Sequence, residues 1–275
     1  MTVITRNEAA HIADALTSVA WADEIVVVDS ESTDETVAIA RQYTDNVIVR
    51  AWPGYIDQKN HAASVASHDW IFSLDADERV SPELAEEIKA MMAKTPTDAG
   101  FRVPRVTRYL GRWMRSTDWY PDYQLRLYDR RVAEWTGRYV HESMSVQGTV
   151  GRLRGELQHF AFRDIADHLE TIDRYTTFAA RQMHEAGRTT SLLQLAAHPP
   201  LAFLRNYLLR LGFKDGTAGF VVSVLNSYYV FLKFAKLWEL GAVPGSLVPG
   251  SKVPGSNVKV PGSDVTENRE PGTRN

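Results

Sequence analysis

The sequence predicts an α/β protein: a parallel sheet with crossover helices, then extended segments, then a helical region and a disordered tail. Three observations carry this reading. Four short apolar runs begin at Val3, Ile25, Val47 and Trp70, about 22 residues apart, the length of a strand plus a short crossover helix. The runs are continuous and rich in β-branched residues, as in Ile25-Val26-Val27-Val28, which suits strands covered on both faces. Beyond residue 163 the apolar spacing turns helical, and beyond Leu240 the chain becomes polar and repetitive.

Taken in order, Val3-Ile4 predicts the first strand, and Asn7 is placed to cap a helix carrying Ala9, Ile12, Leu16 and Val19. After the second strand, Ser32 or Thr33 can cap a helix with Val37 and Ala40 facing inward. A third helix is expected over 58–67, between Val47-Ile48-Val49 and the strand Trp70-Ile71-Phe72-Ser73-Leu74. Ser81-Pro82-Glu83 opens a fourth, with a cap, a first-turn proline and acid at the positive dipole end. Residues 100–108, 124–128 and 153–162 read as extended. Ile165, Leu169, Ile172, Tyr175 and Phe178 follow helical spacing, and Pro199-Pro200 is expected to break the chain before one or two apolar helices over 201–238. Val-Pro-Gly-Ser then recurs from Val243, Val248, Val253 and Val260, a composition that cannot build a core.

Charge is unevenly distributed. Residues 1–100 hold 7 Lys and Arg against 18 Asp and Glu, a net of −11, whereas residues 101–163 hold 12 against 6, a net of +6. The acidic part suits a divalent cation better than nucleic acid, and the basic part suits an anionic partner. There is no cysteine, which excludes disulfides, zinc–thiolate sites, iron–sulfur clusters and a cysteine nucleophile. Met1 to His11 shows no basic segment followed by an apolar run, so no signal peptide is expected.

Ligands of parallel α/β sheets sit at the carboxyl ends of the strands. Here the second strand ends in Val28-Asp29-Ser30 and the fourth in Leu74-Asp75-Ala76-Asp77. In an extended segment Asp75 and Asp77 point the same way, so both can face one ligand. Two hard oxygen donors suit Mg²⁺ or Mn²⁺, with a diphosphate and water completing the shell; the competing reading is a solvated acidic loop leading into the Ser81 helix.

Several ordered motifs together resemble family 2 glycosyltransferases. They are Val3-Ile4-Thr5-Arg6-Asn7-Glu8, Trp21-Ala22-Asp23-Glu24 with the second strand through Ser30, Ser32-Thr33-Asp34-Glu35-Thr36, Gln58-Lys59-Asn60 and Ser73-Leu74-Asp75-Ala76-Asp77-Glu78. Trp119-Tyr120-Pro121-Asp122, Gln124-Leu125-Arg126-Leu127, His141-Glu142 and Gly212-Phe213-Lys214-Asp215-Gly216 resemble the lipopolysaccharide-core β-glucosyltransferase subgroup. The likeness spans about residues 3–240. The family usually carries a few more residues before its first strand, which here starts at or near Met1.

The resemblance implies a GT-A fold, with a Rossmann-like nucleotide-binding sheet and a mixed acceptor-side extension. The shifts in pattern divide the chain into a GT-A catalytic domain over 1–163, a helical region over 164–240 that suits a membrane interface or else packs on the domain or a second subunit, and a disordered tail over 241–275. The resemblance also implies an inverting, metal-dependent transfer of a hexose from a nucleoside-diphosphate sugar, a UDP-hexose, to a lipid-linked or lipopolysaccharide-core acceptor on the cytoplasmic face of a membrane. Thr5 and Asn7 would lie near the nucleotide base, and Asp29 would accept from the uracil edge or else merely cap the Ser32–Thr33 turn. Lys59 would approach the nucleotide or stand as a solvated helix charge. Asp75 would contact ribose or metal, Asp77 the metal and diphosphate, and His159 the metal, unless His159 is simply a packed strand residue. The general base would be Glu142, with Asp122 as the alternative.

The arginines at 102, 105, 108, 112, 115, 126, 130 and 131 alternate with Tyr109, Trp113, Trp119, Tyr120 and Tyr123. Aromatic faces with arginine forks suit an anionic saccharide acceptor; a solvated basic face is the alternative. No nucleic-acid module accompanies them, so nucleic acid is not an expected partner. The run 216–232 carries no charge, and with Tyr228, Tyr229, Trp238 and the flanking Lys233 and Lys236 it suits a membrane surface, or else a hairpin packed on the domain or on a second subunit. Two rival functions are a sugar-nucleotide nucleotidyltransferase and an inactive membrane-associated scaffold. The first needs a glycine-rich signature that Thr5-Arg6-Asn7-Glu8-Ala9 lacks, and the retained Asp75, Asp77 and Glu142 weigh against the second.

Overall fold

The computed structural model describes residues 1–138 and 141–242, with the backbone alone at 138, 141 and 142. The four apolar runs form β1 (Thr2–Thr5), β2 (Val26–Asp29), β3 (Val47–Val49) and β4 (Trp70–Asp75), parallel in the order β3-β2-β1-β4. Their alternate side chains enter different cores. Val3, Val27, Phe72 and Leu74 pack with Ile12 and Leu16 on one face, while Ile4, Val26, Val28 and Ile71 pack with Ala62 and Ala63 on the other. That two-sided burial is why the runs show no apolar–polar alternation.

The crossover helices are α1 (Ile12–Ser18), α2 (Thr36–Ala40) and α3 (Tyr55–Val65). Two expected caps fail. α1 starts after His11 without a side-chain cap, and α2 after Glu35, because Asn7, Ser32 and Thr33 bond to one another across the loops instead. The Ser81 signal holds: its Oγ accepts the Leu84 N–H at 3.2 Å and opens α4 (Pro82–Met92).

Beyond β4 the polarity reverses. β5 (Glu78–Val80), β6 (Gly100–Tyr109), β7 (Arg112–Met114), β8 (Asp122–Asp129), β11 (Val150–Arg152) and β12 (Leu157–His159) extend the sheet, and β9 (Ala133–Arg138) pairs with β10 (His141–Val146) as a separate hairpin. β8 lies antiparallel beside β4, so the parallel half meets the mixed half at that seam.

The C-terminal region is α5 (Ile165–Glu185), α6 (Leu192–Leu204) and α7 (Gly216–Ala242). Pro199 and Pro200 lie inside α6 and do not break it. Proline φ is helical, so each costs a donor and crowds the preceding turn, and packing against α7 offsets this. The Ser227 hydroxyl of α7 donates to the Pro199 carbonyl at 2.7 Å. Gly241 and Ala242, assigned to the tail by sequence, close α7; residues 243–275, with the Val-Pro-Gly-Ser repeats, lie outside the described residues.

The first turns of α7 are docked on the sheet, where Ala218 and Val222 pack with Tyr109 and Met114. This requires Gly219: a Cβ there would meet the Gly212 carbonyl oxygen at 1.8 Å. Gly219→Ala must push the 212–215 turn off α7. We expect a loss of about 1–3 kcal/mol, read as a fall of several degrees in Tm by calorimetry.

Candidate active site

The register sets Thr5 beside Asp29 and Ile4 beside Asp75, so the carboxyl ends of β1, β2 and β4 lie side by side. Asp29 is fully buried and accepts both the Ser32 N–H (2.8 Å) and the Ser32 hydroxyl, which is the turn-capping role. Asn7, at a φ of 54°, accepts the Thr33 N–H through Oδ1 at 2.8 Å and donates its own N–H to Ser32 Oγ. Asp34 and Thr36 hold the N–H groups of Ala9 and Glu8. The loops after β1 and β2 are thereby clasped into one rim. The buried Thr5 hydroxyl and Gln58 Oε1 beside it have no partner among the described residues.

Lys59 is not a solvated helix charge. Its side chain is 1% exposed, with Nζ 3.3 Å from Asp75 Oδ1 and 4.4 Å above the Trp135 ring. From there a chain of alternating charges runs through the sheet. Asp75 Oδ2 meets Arg126 Nη2 at 2.7 Å, Arg126 meets Glu78 at 2.5 Å, Glu78 meets Arg105 at 3.2 Å, and Arg105 meets Asp122 at 2.6 Å. Burial works against the charged form of Asp75, but Arg126 and Lys59 outweigh it and hold the carboxyl well below the usual carboxylate range. Burial likewise works against Arg126, and Asp75 and Glu78 hold it charged.

Asp75 and Asp77 do not converge as an extended strand would make them. The strand ends at Asp75, and Ala76-Asp77 is a turn into β5. Asp75 therefore faces Lys59 and Arg126, while Asp77 Oδ2 lies 3.3 Å from His159 Nε2. The pairing of β12 with β5 brings His159 there, opposite Glu78. Burial raises the Asp77 carboxyl, and the His159 bond and charge more than reverse it. His159 Nδ1 contacts Thr107 Oγ at 3.3 Å, an outer partner that orients the ring and leaves Nε2 toward Asp77. Among the described residues no three His or acidic side chains form a ready metal cluster, and of the expected Asp75, Asp77 and His159 the two in direct contact are Asp77 and His159. One oxygen and one nitrogen ligand fit a cation whose remaining ligands come from substrate phosphates.

Asp77, His159, Arg105 and Asp122 line one cavity of about 720 Å³ that continues between α5 and α7. Glu8 lines it too; burial, then the Asp77 and Asp34 charges, push its carboxyl up to about 7. Asp122 is engaged on both oxygens, by Arg105 twice (2.9 and 2.6 Å) and by Gln124 (2.6 Å). The Glu142 backbone pairs with Gly137 in the β9–β10 hairpin, which is tied to α3 by two 2.9 Å bonds between Asn60 and Trp135; the Glu142 side chain lies outside the described residues.

The arginine–aromatic pattern divides between the cavity, the charge chain, helix ends and exposed surface, where Arg102, Arg108, Arg112, Arg115 and Arg131 lie. Arg105 and Trp119 reach the cavity. Arg126 is buried in the charge chain, Arg130 donates to the carbonyls of Ala63 and Ala66 at the end of α3, Arg131 grips Asp129, and Tyr109 is core. Sequence reasoning placed Arg105 and Arg126 in an acceptor cleft and Glu78 only within a motif, and it missed all three as members of the buried charge chain. The signal was present in Leu125-Arg126-Leu127, a charge in an otherwise apolar strand.

Comparison with known proteins agrees with this geometry. Residues 2–147 match the family model "Glycosyl transferase family 2". The chain is 32% identical over 252 residues to the lipopolysaccharide core biosynthesis glycosyltransferase LpsC of Rhizobium meliloti, covering 88% of this chain and 92% of that one. It is 33% identical over 251 residues to an uncharacterized glycosyltransferase of Rickettsia typhi, with 86% of each chain covered. Among solved structures, the mannosyltransferase PcManGT of Pyrobaculum calidifontis, in complex with GDP-Man and Mn²⁺, superposes with a TM-score of 0.52 at 16% identity, covering 86% of this chain and 85% of that one. The fold is GT-A, and the chain belongs to glycosyl transferase family 2.

Proposed function

We propose that the protein is an inverting glycosyltransferase that moves a hexose from a nucleoside-diphosphate sugar, a UDP-hexose, to a lipid-linked or lipopolysaccharide-core acceptor at the inner face of the cytoplasmic membrane. The observation that carries this reading is the Asp77–His159 pair at the carboxyl edge of the sheet, opening into the cavity that also holds Asp122. The lipopolysaccharide-core role of LpsC supports the acceptor class, and the Mn²⁺ and GDP-Man of PcManGT support a divalent cation and a nucleotide-sugar donor.

Asp77 and His159 would hold Mg²⁺ or Mn²⁺, with Thr107 orienting the imidazole. The cation, when bound, neutralises charge on the departing diphosphate. Asp75, pinned by Lys59 and Arg126, offers a fixed anion to the donor ribose, and the unpartnered Thr5 hydroxyl lies at the nucleotide end. Glu142 would take the proton from the acceptor hydroxyl. Asp122 is the weaker candidate, because Arg105 and Gln124 already occupy both of its oxygens.

Membrane docking rests on apolar exposure. Among the described residues one run, Gly212–Ala242, is long and apolar enough to cross a membrane, and 22% of its apolar window is buried. Leu192, Leu193 and Leu209 are 76–79% exposed, a surface suited to an acyl boundary. The cations expected to reach headgroups do not all do so. Lys236 is tied to Asp173, Thr176 and Thr177, and Arg205 and Arg210 are held by Asp118. The interaction is therefore apolar more than electrostatic.

Three outcomes test the reading. Asp77→Ala abolishes UDP release from a cognate UDP-hexose while leaving Tm within a degree or two, and excess EDTA does the same to the wild type; full activity in either case refutes the metal role. Glu142→Gln retains donor affinity and loses about 10²–10⁴-fold in kcat, whereas a normal kcat there with a collapsed one in Asp122→Asn would make Asp122 the base. Wild type floats with anionic liposomes, and a Leu192→Ser, Leu193→Ser, Leu209→Ser variant stays in the pellet fraction; equal flotation of both excludes docking through this face.

A further inference from the structure

The cavity has a second end that the donor chemistry does not use. It lies between α5 and α7 and is bounded by Thr171, Arg174, Tyr175, Asn226 and Tyr229. α7 is apolar here, and its other polar residues are satisfied: Ser223 donates to Gly219 O and Ser227 to Pro199 O, both at 2.7 Å. Ten residues further along α7, Lys236 makes a full set of bonds to Asp173, Thr176 and Thr177 of α5. By contrast, the side chains of Asn226 and Thr171 have no hydrogen-bond partner among the described residues. Both side chains are half-buried on the cavity lining, where they stand open to a ligand.

Arg174 adds charge at the mouth. It lies over the Tyr175 ring at 5.5 Å and its charge acts on Asp167, but no carboxylate forms an ion pair with it among the described residues, where Asp173 pairs with Lys236 and Asp167 with Arg163. Nearby, Trp119 stacks on Phe162 at 5.5 Å and Phe162 on His168 of α5 at 4.3 Å. His168 contacts the Tyr109 hydroxyl at 2.9 Å, and burial pushes its imidazole down to about 4, so it presents a neutral wall. An aromatic surface, two open polar side chains and a guanidinium without an ion-pair partner among the described residues are the inventory that a charged sugar requires.

We propose that α5 and α7 form the acceptor subsite and take an anionic sugar. Trp119 and Phe162 pack against its ring, Asn226 and Thr171 bond its hydroxyls, and Arg174 pairs with its phosphate or carboxylate. The inference rests on the glycosyl transfer proposed above and adds the acceptor's charge and its place.

The test uses the full chain and truncated-core lipopolysaccharide in detergent micelles, intact, dephosphorylated with hydrofluoric acid, or carboxyl-reduced. Equilibrium binding is measured for wild type, Arg174→Gln, Arg174→Lys and Asn226→Leu, with UDP affinity as the control for folding. Saturable wild-type binding is expected, weakened at least tenfold by Arg174→Gln and by Asn226→Leu and partly restored in Arg174→Lys. The treatment that lowers wild-type affinity to the Arg174→Gln level identifies the anion as phosphate or carboxylate. Absent saturable binding, variants within twofold of wild type, or indifference to both treatments overturns the subsite. Arg174-dependent binding with no product from any UDP- or GDP-hexose would instead refute the proposed transfer and leave the subsite standing.

Discussion

The buried chain of alternating charges from Lys59 through Asp75, Arg126, Glu78 and Arg105 to Asp122 is the constraint on which the site depends. It crosses the seam where the parallel half of the sheet meets the mixed half, and each member comes from a different element except Arg126 and Asp122, which share β8. Arg126 and Glu78 are 3% and 0% exposed, so each charge is tolerable only because the next is in place. Removing one partner of such a buried pair typically costs about 3–5 kcal/mol, since the remaining charge is left uncompensated. A chain of this kind adds little net stability relative to an apolar core. What it supplies is register: the strand ends that carry Asp75, Asp77 and Asp122 cannot slide without breaking several pairs.

The helical region is tied into the same unit. Asp215, within the Gly212-Phe213-Lys214-Asp215-Gly216 motif, accepts the Arg115 N–H at 3.0 Å and the Ser116 hydroxyl. Asp118 holds Arg205 and Arg210, and it exchanges bonds with the Asn206 amide at 2.9 and 3.0 Å. The loop before β8, and with it Trp119, is therefore positioned by the turns that enter α7. This explains a motif that carries no catalytic group: it anchors the loop that shapes the cavity. It also connects the apolar α6–α7 face to the centre through a few rigid, bonded turns.

Much of the site's organisation comes from loops clasping loops. Asn7, Ser32, Thr33, Asp34 and Thr36 have the composition of helix caps, yet they bridge the loops after β1 and β2. Their side chains satisfy main-chain donors in either role, and the choice between a local and a cross-loop acceptor is made by which strands lie adjacent. Asp29 follows the same logic: its carboxylate is engaged by Ser32, and the groups left free at that end are the Thr5 hydroxyl and Gln58 Oε1.

The sequence by itself determined the four parallel strands, the Ser81 helix start, the helical C-terminal region and three of the side chains that line the cavity, Asp77, Asp122 and His159. These follow from local physics: the period of apolar residues, caps within three residues, and acids at strand ends. Tertiary structure alone decided which acid meets which partner. The turn at Ala76-Asp77 sends Asp75 to Lys59 and Arg126 and Asp77 to His159, because β12 pairs with β5 across a long sequence separation. The same holds for the arginines, which look like one basic cleft along the chain: Arg126 is buried in the charge chain, Arg130 bonds the end of α3, Arg105 lines the cavity, and Arg102, Arg108, Arg112, Arg115 and Arg131 are exposed. It also holds for Pro199-Pro200, which reads as a break and is carried within α6 by packing on α7. In each case the deciding energy is a contact between segments far apart in sequence, and such a contact has no local signature.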